Sequence, residues 1–307
     1  MNSLFIYYIH NHKNHNSKYN FMGIKHLNNY LLTNCSCKSI KNTSLNYFYG
    51  KTIVVDTFIY LYKYMADGGG ELLPKNIEKF ILTFKKYNIT PIFIFDGKPP
   101  LEKRILLEQR RVKKEEAKVK YDTILQQIEE NKGVKSFELT NQLASLKKQF
   151  IRIDYEHIQS VKAIMRKHNV IYIVAPGESD QLCVEYVKTN KAWGCLSDDM
   201  DMLCHGCGYV LRNLSLQNNT VKLYILQNIL QELNMTIHIF RDILVLSGTD
   251  YNTQDNHNLY DTLKWYNEYK RYCYKHNIQQ KFYDWLWKNT KYIKNLDELE
   301  RIHNMFI

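Results

Sequence analysis

Three aspartates within four positions, Asp198, Asp199 and Asp201, directly follow the apolar run that ends at Leu196. Other apolar runs also end in acids: Asp56 after Ile53–Val55, Asp96 after "PIFIF", and Glu178 with Asp180 after "VIYIVAPG". Oxygen donors with no Cys or His among them suit Mg2+ or Mn2+ rather than zinc. Carboxylates crowded into one pocket raise each other's pKa, and divalent cations relieve that repulsion. Two such ions about 4 Å apart are a recurrent device for in-line phosphoryl displacement, one activating water and the other stabilising the leaving oxygen. Taken singly, each acid has a plainer reading. A strand-end aspartate serves as a helix N-cap, Asp199 and Asp201 can cap the next turn, and Asp250 in "GTDYN" can be a turn residue. Asp198, one residue out of register with Asp199, is expected to point elsewhere.

The elements that must position these acids read as a strand–helix alternation with short, continuously apolar strands. That pattern predicts an α/β fold: a mostly parallel central sheet flanked by helices on both faces. Ligands of such sheets sit beyond the carboxyl ends of the strands, so the strand-end acids form one shared pit. A fifth apolar segment, "IFRDILVLSGTDY" (239–251), is expected to deliver Asp250 in the same fashion. The run "ADGGGELLP" (66–74) reads as a loop, and "KNIEKFILTFKKYN" as the helix after it. Residues 101–168 are charged and helical in texture, with one break near "NKGVKS". Residues 1–21 are polar and aperiodic, a disordered lead-in or mis-assigned start, and Met22 opens a short amphipathic helix.

Composition narrows the partner. Lys and Arg number 42 against 31 Asp and Glu, a net charge of +11 that suits a polyanion. Seven scattered cysteines do not make a disulfide framework, and a reducing compartment is expected. Cys204 and Cys207 form a single CxxC with no second pair at zinc-ligand spacing. No GxxxxGK[ST] loop is present, which removes a P-loop NTPase. "LFIYYI" near the start is too short for a membrane span, so a soluble intracellular protein is expected.

From Met22 to about Tyr251 the chain resembles the flap endonuclease/XPG nucleases. The segments that carry the resemblance are "MGIKHLNNYLL", "YFYGKTIVVDTFIYLYKYM", "PIFIFDGKPPLEKRILLEQRR", "APGESDQLCVEYVK", "SDDMDMLCHG" and "ILQNILQELNMTIHIFRDILVLSGTDY", in the family's order and at similar spacing. The resemblance implies a PIN-like 5′-nuclease fold and a first metal at Asp56, Asp96, Glu178 and Asp180. It implies a second at Asp199, Asp201 and Asp250, with Mg2+ (Mn2+ as alternative) at both. Asp180 stands where the family usually has Glu and has a shorter reach. Lys103 and Arg110, seven apart and so on nearly one helical face, are implied to contact the scissile phosphate, with Asp199 in the catalytic set. DNA contacts are implied for Gly23, Tyr62, Lys98, Lys103, Arg110, Arg111, Lys113 and Lys114, with Tyr62 stacking on a base. The segment from about 103 to 155 resembles the family's helical arch; interleaved Glu residues leave a solvated helix or a coiled hairpin as the competing reading. Beyond Tyr251 the family carries a glycine-rich helix–two-turn–helix, but "NTQDNHNLYDTLKWYNEYKRYCYKHN" has no glycine, so no potassium site is expected in this helical C-terminal region (252–307). No sliding-clamp-binding motif is evident at the end of the chain. The implied activity is metal-dependent cleavage of DNA with 5′ flaps or branches in replication, repair or recombination. The implied compartment is the nucleus, or a cytoplasmic replication site if the chain is one of the versions encoded by large DNA viruses. The competing readings are a 5′–3′ exoribonuclease of related fold and a non-catalytic nucleic-acid-binding scaffold.

Overall fold

The computed structural model describes residues 24–130, 136–252 and 257–307. Met22, Gly23, the lead-in 1–21 and most of the "NKGVKS" break lie outside the described residues. In chain order the elements are α1 (Leu27–Asn34), β1 (Ile40–Ser44), β2 (Thr52–Asp56), α2 (Thr57–Lys86), β3 (Thr90–Phe95), α3 (Arg104–Glu130), α4 (Phe137–Gln149), α5 (Tyr155–Lys167), β4 (Ile171–Val174) and α6 (Ser179–Lys188). They continue with β5 (Gly194–Leu196), α7 (Asp201–Cys204), β6 (Tyr209–Ser215), β7 (Thr220–Ile225), α8 (Leu226–Leu233), α9 (Ile237–Leu246), α10 (Leu259–His276), α11 (Phe282–Asn289) and α12 (Leu296–Asn304).

The strands form one sheet in the order β1-β7-β6-β5-β2-β3-β4. β4, β3, β2, β5 and β6 run parallel, and β7 is antiparallel to both β6 and β1. Because strand side chains alternate, β2 faces two cores. Ile53 and Val55 pack with Phe80 and Phe84 of α2 and Val161 and Met165 of α5. Val54, with Ile92, Ile94 and Cys195, packs with α6, α7 and α9 on the other face. The C-terminal helices extend that second core through Phe282, Leu286, Ile302 and Phe306. The parallel α/β architecture expected above is therefore present, enlarged by β1 and the β6–β7 hairpin. Among the described residues no helix is long and apolar enough to cross a membrane.

Two expectations are corrected. The run 66–74 is not a loop: α2 continues through it, interrupted at Gly69 alone (φ 72°, ψ −179°). Glycine adopts that backbone without a Cβ clash, so one residue kinks the helix and lets it resume. The apolar segment before Asp250 is a helix, α9, not a further strand. Thr236 caps it by accepting the Ile239 N–H, and Phe240, Ile243 and Leu244, at helical spacing, are buried.

Beyond β3, α3 and α4 pack on each other through Ala117, Ile124, Ile128, Leu143 and Leu146. The rings of Tyr121 and Phe150 meet at 5.3 Å, and Lys114 donates to the Ile151 carbonyl at 3.0 Å, so the pair runs antiparallel. The long charged segment is thus a coiled hairpin with its own small apolar seam.

Candidate active site at the carboxyl end of the sheet

From β2 the chain steps to β3 and β4, then returns through α6 to β5 on the other side of β2. This reversal opens a crevice at the carboxyl ends of β2 and β5. Asp56, the last residue of β2, is buried there and is the N-cap residue of α2, yet its side chain makes no capping bond. It accepts hydrogen bonds instead from Ser179 Oγ at 3.1 Å and Ser197 Oγ at 3.0 Å. Asp96, just past β3, accepts the Ser179 backbone N–H at 2.8 Å, which caps α6 from a neighbouring loop and sets a carboxylate at that helix's positive end. Gly97 makes the approach possible: its N–H donates to Gly177 O at 2.7 Å, and an added Cβ would lie 2.0 Å from Ala175 O.

Glu178 precedes α6 and does not cap it either. Its Oε1 accepts Lys103 Nζ at 2.6 Å, and its Oε2 accepts the Tyr251 hydroxyl. Asp180 lies in the first turn of α6, half-buried. After β5, Asp199 Oδ1 accepts the Asp201 N–H at 2.9 Å, so the turn-capping reading holds for that oxygen. Both residues are buried, and among the described residues Asp201 Oδ1 has no hydrogen-bond partner. Asp198 points away, accepting the Asn213 N–H at 2.6 Å. Asp250, past α9, faces inward to Arg110 Nη2 at 2.9 Å and Lys103 Nζ at 3.7 Å.

The electrostatics register this crowding. Burial, then the Asp96 and Asp199 carboxylates, push Asp56 up to about 8 in spite of its two hydroxyl donors. Burial with Asp56 and Asp199 holds Asp180 well above the usual carboxylate range. Burial and Asp250 raise Asp199, and burial with Asp199 and Asp250 raises Asp201 strongly. Lys103 is buried, which alone would lower its pKa, but Glu178, Asp250 and Asp180 outweigh that and raise it. It is a fixed cation between the two halves of the acidic set, 5.0 Å from the Tyr251 ring.

The other expected contacts divide into two groups. Arg110 and Lys103 reach the acids; Tyr62 on α2 sits beside them, with Lys114 Nζ 5.1 Å from its ring. Burial and the Asp96 carboxylate raise the Tyr62 phenol, while burial followed by Arg152 and Arg110 lowers Lys114. Arg111 is turned along the outside of α3, paired with Glu108 at 2.6 Å and Glu115 at 3.0 Å. Lys98 and Lys113 are exposed, outside the carboxylate network. Ser179, Ser197 and Tyr251 were not singled out from sequence. Each adjoins an acid in the chain, a hydroxyl-beside-carboxylate pattern that is the available signal.

Among the described residues no three acidic, histidine or cysteine side chains converge tightly enough to share an ion as they stand. Lys103 spans Glu178 and Asp250. The donor set nevertheless fits a divalent cation. It is oxygen throughout, it carries more negative charge than Lys103 and Arg110 neutralise, and it includes the unpartnered Asp201 Oδ1.

Residues 22–117 match the family model described as the XPG N-terminal domain, and residues 169–250 match the XPG I-region; together they cover more than half of the chain. The flap endonuclease 1 of Candida glabrata is 28% identical over 246 residues, spanning 75% of this chain and 61% of its own length. That of Entamoeba histolytica is 30% identical, spanning 75% of this chain and 62% of its own length. The chain therefore spans less than two thirds of the length of these relatives. Among solved structures, the catalytic core of Rad2 in complex with DNA substrate superposes with a TM-score of 0.64 at 16% identity, covering 93% of this chain and 85% of that one. At that identity the likeness is one of fold. All seven acidic positions fall inside the two matched regions, whereas α4, α5 and the helices beyond Asp250 fall outside them.

Proposed function

The chain belongs to the XPG family, and from that premise we propose that it is a divalent-metal-dependent, structure-specific 5′ nuclease that hydrolyses phosphodiesters in branched DNA, 5′ flaps above all. The observation that carries this reading is the electrostatic coupling of carboxylates from β2, the β3 loop, α6, the β5 loop and the α9 loop, with Lys103 on Glu178 and Asp250 and Arg110 on Asp250. Asp56, Asp96, Glu178 and Asp180 hold one Mg2+ or Mn2+ ion in this reading, and Asp199, Asp201 and Asp250 a second. When bound, such ions supply water activation and neutralisation of the leaving oxygen. Lys103 and Arg110 project from the start of the α3–α4 arch into the same space, placed to meet the scissile phosphate and the charge that grows on it. Burial, then the Arg152 and Arg110 charges, depress Lys114, and an incoming phosphate backbone relieves the repulsive part. Tyr62 beside them offers a face for sequence-tolerant base stacking.

The test is a panel of 5′-labelled flap, nick, fork and linear duplex DNA, with a matching RNA flap, in Mg2+ and in EDTA. The proposal expects Mg2+-dependent incision of the DNA flap near its junction. Equal cutting of every substrate, preference for RNA, or no cutting in Mg2+ contradicts it.

A further inference from the structure

At the opposite, amino-terminal edge of the parallel strands lies a cluster that the reaction does not use. Lys51 immediately precedes β2, Trp193 precedes β5, Tyr209 opens β6, and Tyr47 lies in the short turn leading to β2. The rings of Trp193 and Tyr209 stack at 4.4 Å and 21°. Tyr47 stands edge-on to Trp193 at 6.4 Å. Lys41 Nζ is 4.6 Å from the Tyr47 ring centre and Lys51 Nζ is 6.0 Å from that of Trp193. Core packing accounts for Phe48 beneath them, which is fully buried, but not for the outer rings: Tyr47 is 52% exposed and Tyr209 37%.

Charge points to the partner. Asp56 is the first acidic residue of the chain, and 186–197 and 202–231, which carry Trp193 and Tyr209, contain no Asp or Glu. The carboxylates of the crevice lie at the other end of the same strands, about 15 Å away at roughly 3.3 Å per residue. A face with stacked, exposed rings and interleaved lysines has the composition that binds single-stranded nucleic acid, bases on rings and phosphates on ammonium groups. We propose that this edge is a second nucleic-acid site, separate from the carboxylate crevice, that holds a single strand through Tyr47, Tyr209, Lys41 and Lys51. It stands whether or not the crevice cleaves DNA.

The experiment uses the full chain in EDTA with a 12-mer oligothymidylate carrying 5-iododeoxyuridine. Ultraviolet crosslinks mapped by mass spectrometry are expected at Tyr47 or Tyr209. In anisotropy titrations, Lys41→Gln with Lys51→Gln should flatten the log–log salt dependence by about 1.4, the share of two phosphate contacts on a single strand. Tyr47→Ala should weaken binding at least about fivefold. Thermal melting of each variant establishes that it is folded, independently of any cleavage assay. Crosslinks confined to the arch and crevice, with affinity and salt slope unchanged in the folded variants, would overturn the proposal.

Discussion

Lys103 is the residue on which the two halves of the acidic set meet, 2.6 Å from Glu178 and 3.7 Å from Asp250. A cation placed there is worth most when charge develops on a phosphate. Lys103→Met and Arg110→Met should therefore each slow flap cleavage about 10²–10³-fold while flap affinity in Ca2+ changes little. A variant that loses binding and rate in equal measure would mark these cations as anchors only. Tyr251 acts one step further out, its hydroxyl held on Glu178. Tyr251→Phe removes that donor and is expected to weaken Mn2+ binding by about tenfold, in the range of other lost partners of metal ligands. Calorimetric titration with Mn2+ checks this, and unchanged affinity would reduce the tyrosine to packing. The acids stood out in sequence because charge beside an apolar run does, and Lys103 entered only through the resemblance. Tyr251, Ser179 and Ser197 did not stand out, because a neutral hydroxyl carries no such contrast among 24 tyrosines and many serines.

At the scale of elements, the loop after β3 meets the turn before α6 backbone to backbone at Gly97. Gly97→Ala sets a Cβ 2.0 Å from a carbonyl oxygen that has no room to yield. The expected cost is about 3 kcal/mol in chemical denaturation, with loss of cleavage as Asp96 and Ser179 separate; a neutral substitution would show that the contact is loose. Helix α7 carries a different signature. His205 beyond its end is buried against Phe306, and burial followed by the Lys188, Lys103 and Arg241 charges lowers it to about 3. The unfolded chain protonates this group near pH 6.5. Its contribution to stability is thus complete above that value and is lost as pH falls towards 3. From pH 7 to 5 the wild type should lose about 2 kcal/mol more than His205→Gln; equal losses would show that His205 is protonated in the fold. β2 to β5 were readable as short apolar runs closed by acids or turns. The segment before Asp250 was not, since its ten helical residues read as a buried strand until Thr236 is recognised as a cap. Nor was the bend at Gly69, where one residue of three glycines does the work a loop was expected to do.

For the molecule as a whole, the division of charge follows the direction of the strands. Acids gather where β2, β3 and β5 end, and an aromatic edge with lysines beside its rings lies where β2, β5 and β6 begin. The net +11 suits a polyanion but says nothing of where on the surface one would bind, because that follows from pairing and crossover rather than composition. The added strands β1, β6 and β7 are only half-apolar, so local pattern did not announce them. The helices after Asp250 join the main core, with Phe306 buried against His205 and Tyr251. The central claim is that the carboxylates act together in hydrolysis, and the most direct test is single-turnover cleavage of a 5′-flap in Mg2+ by Asp199→Ala and Asp201→Ala, with flap affinity measured in parallel. The account predicts a loss of at least about a hundredfold in rate with binding roughly intact; wild-type cleavage by either variant would contradict it.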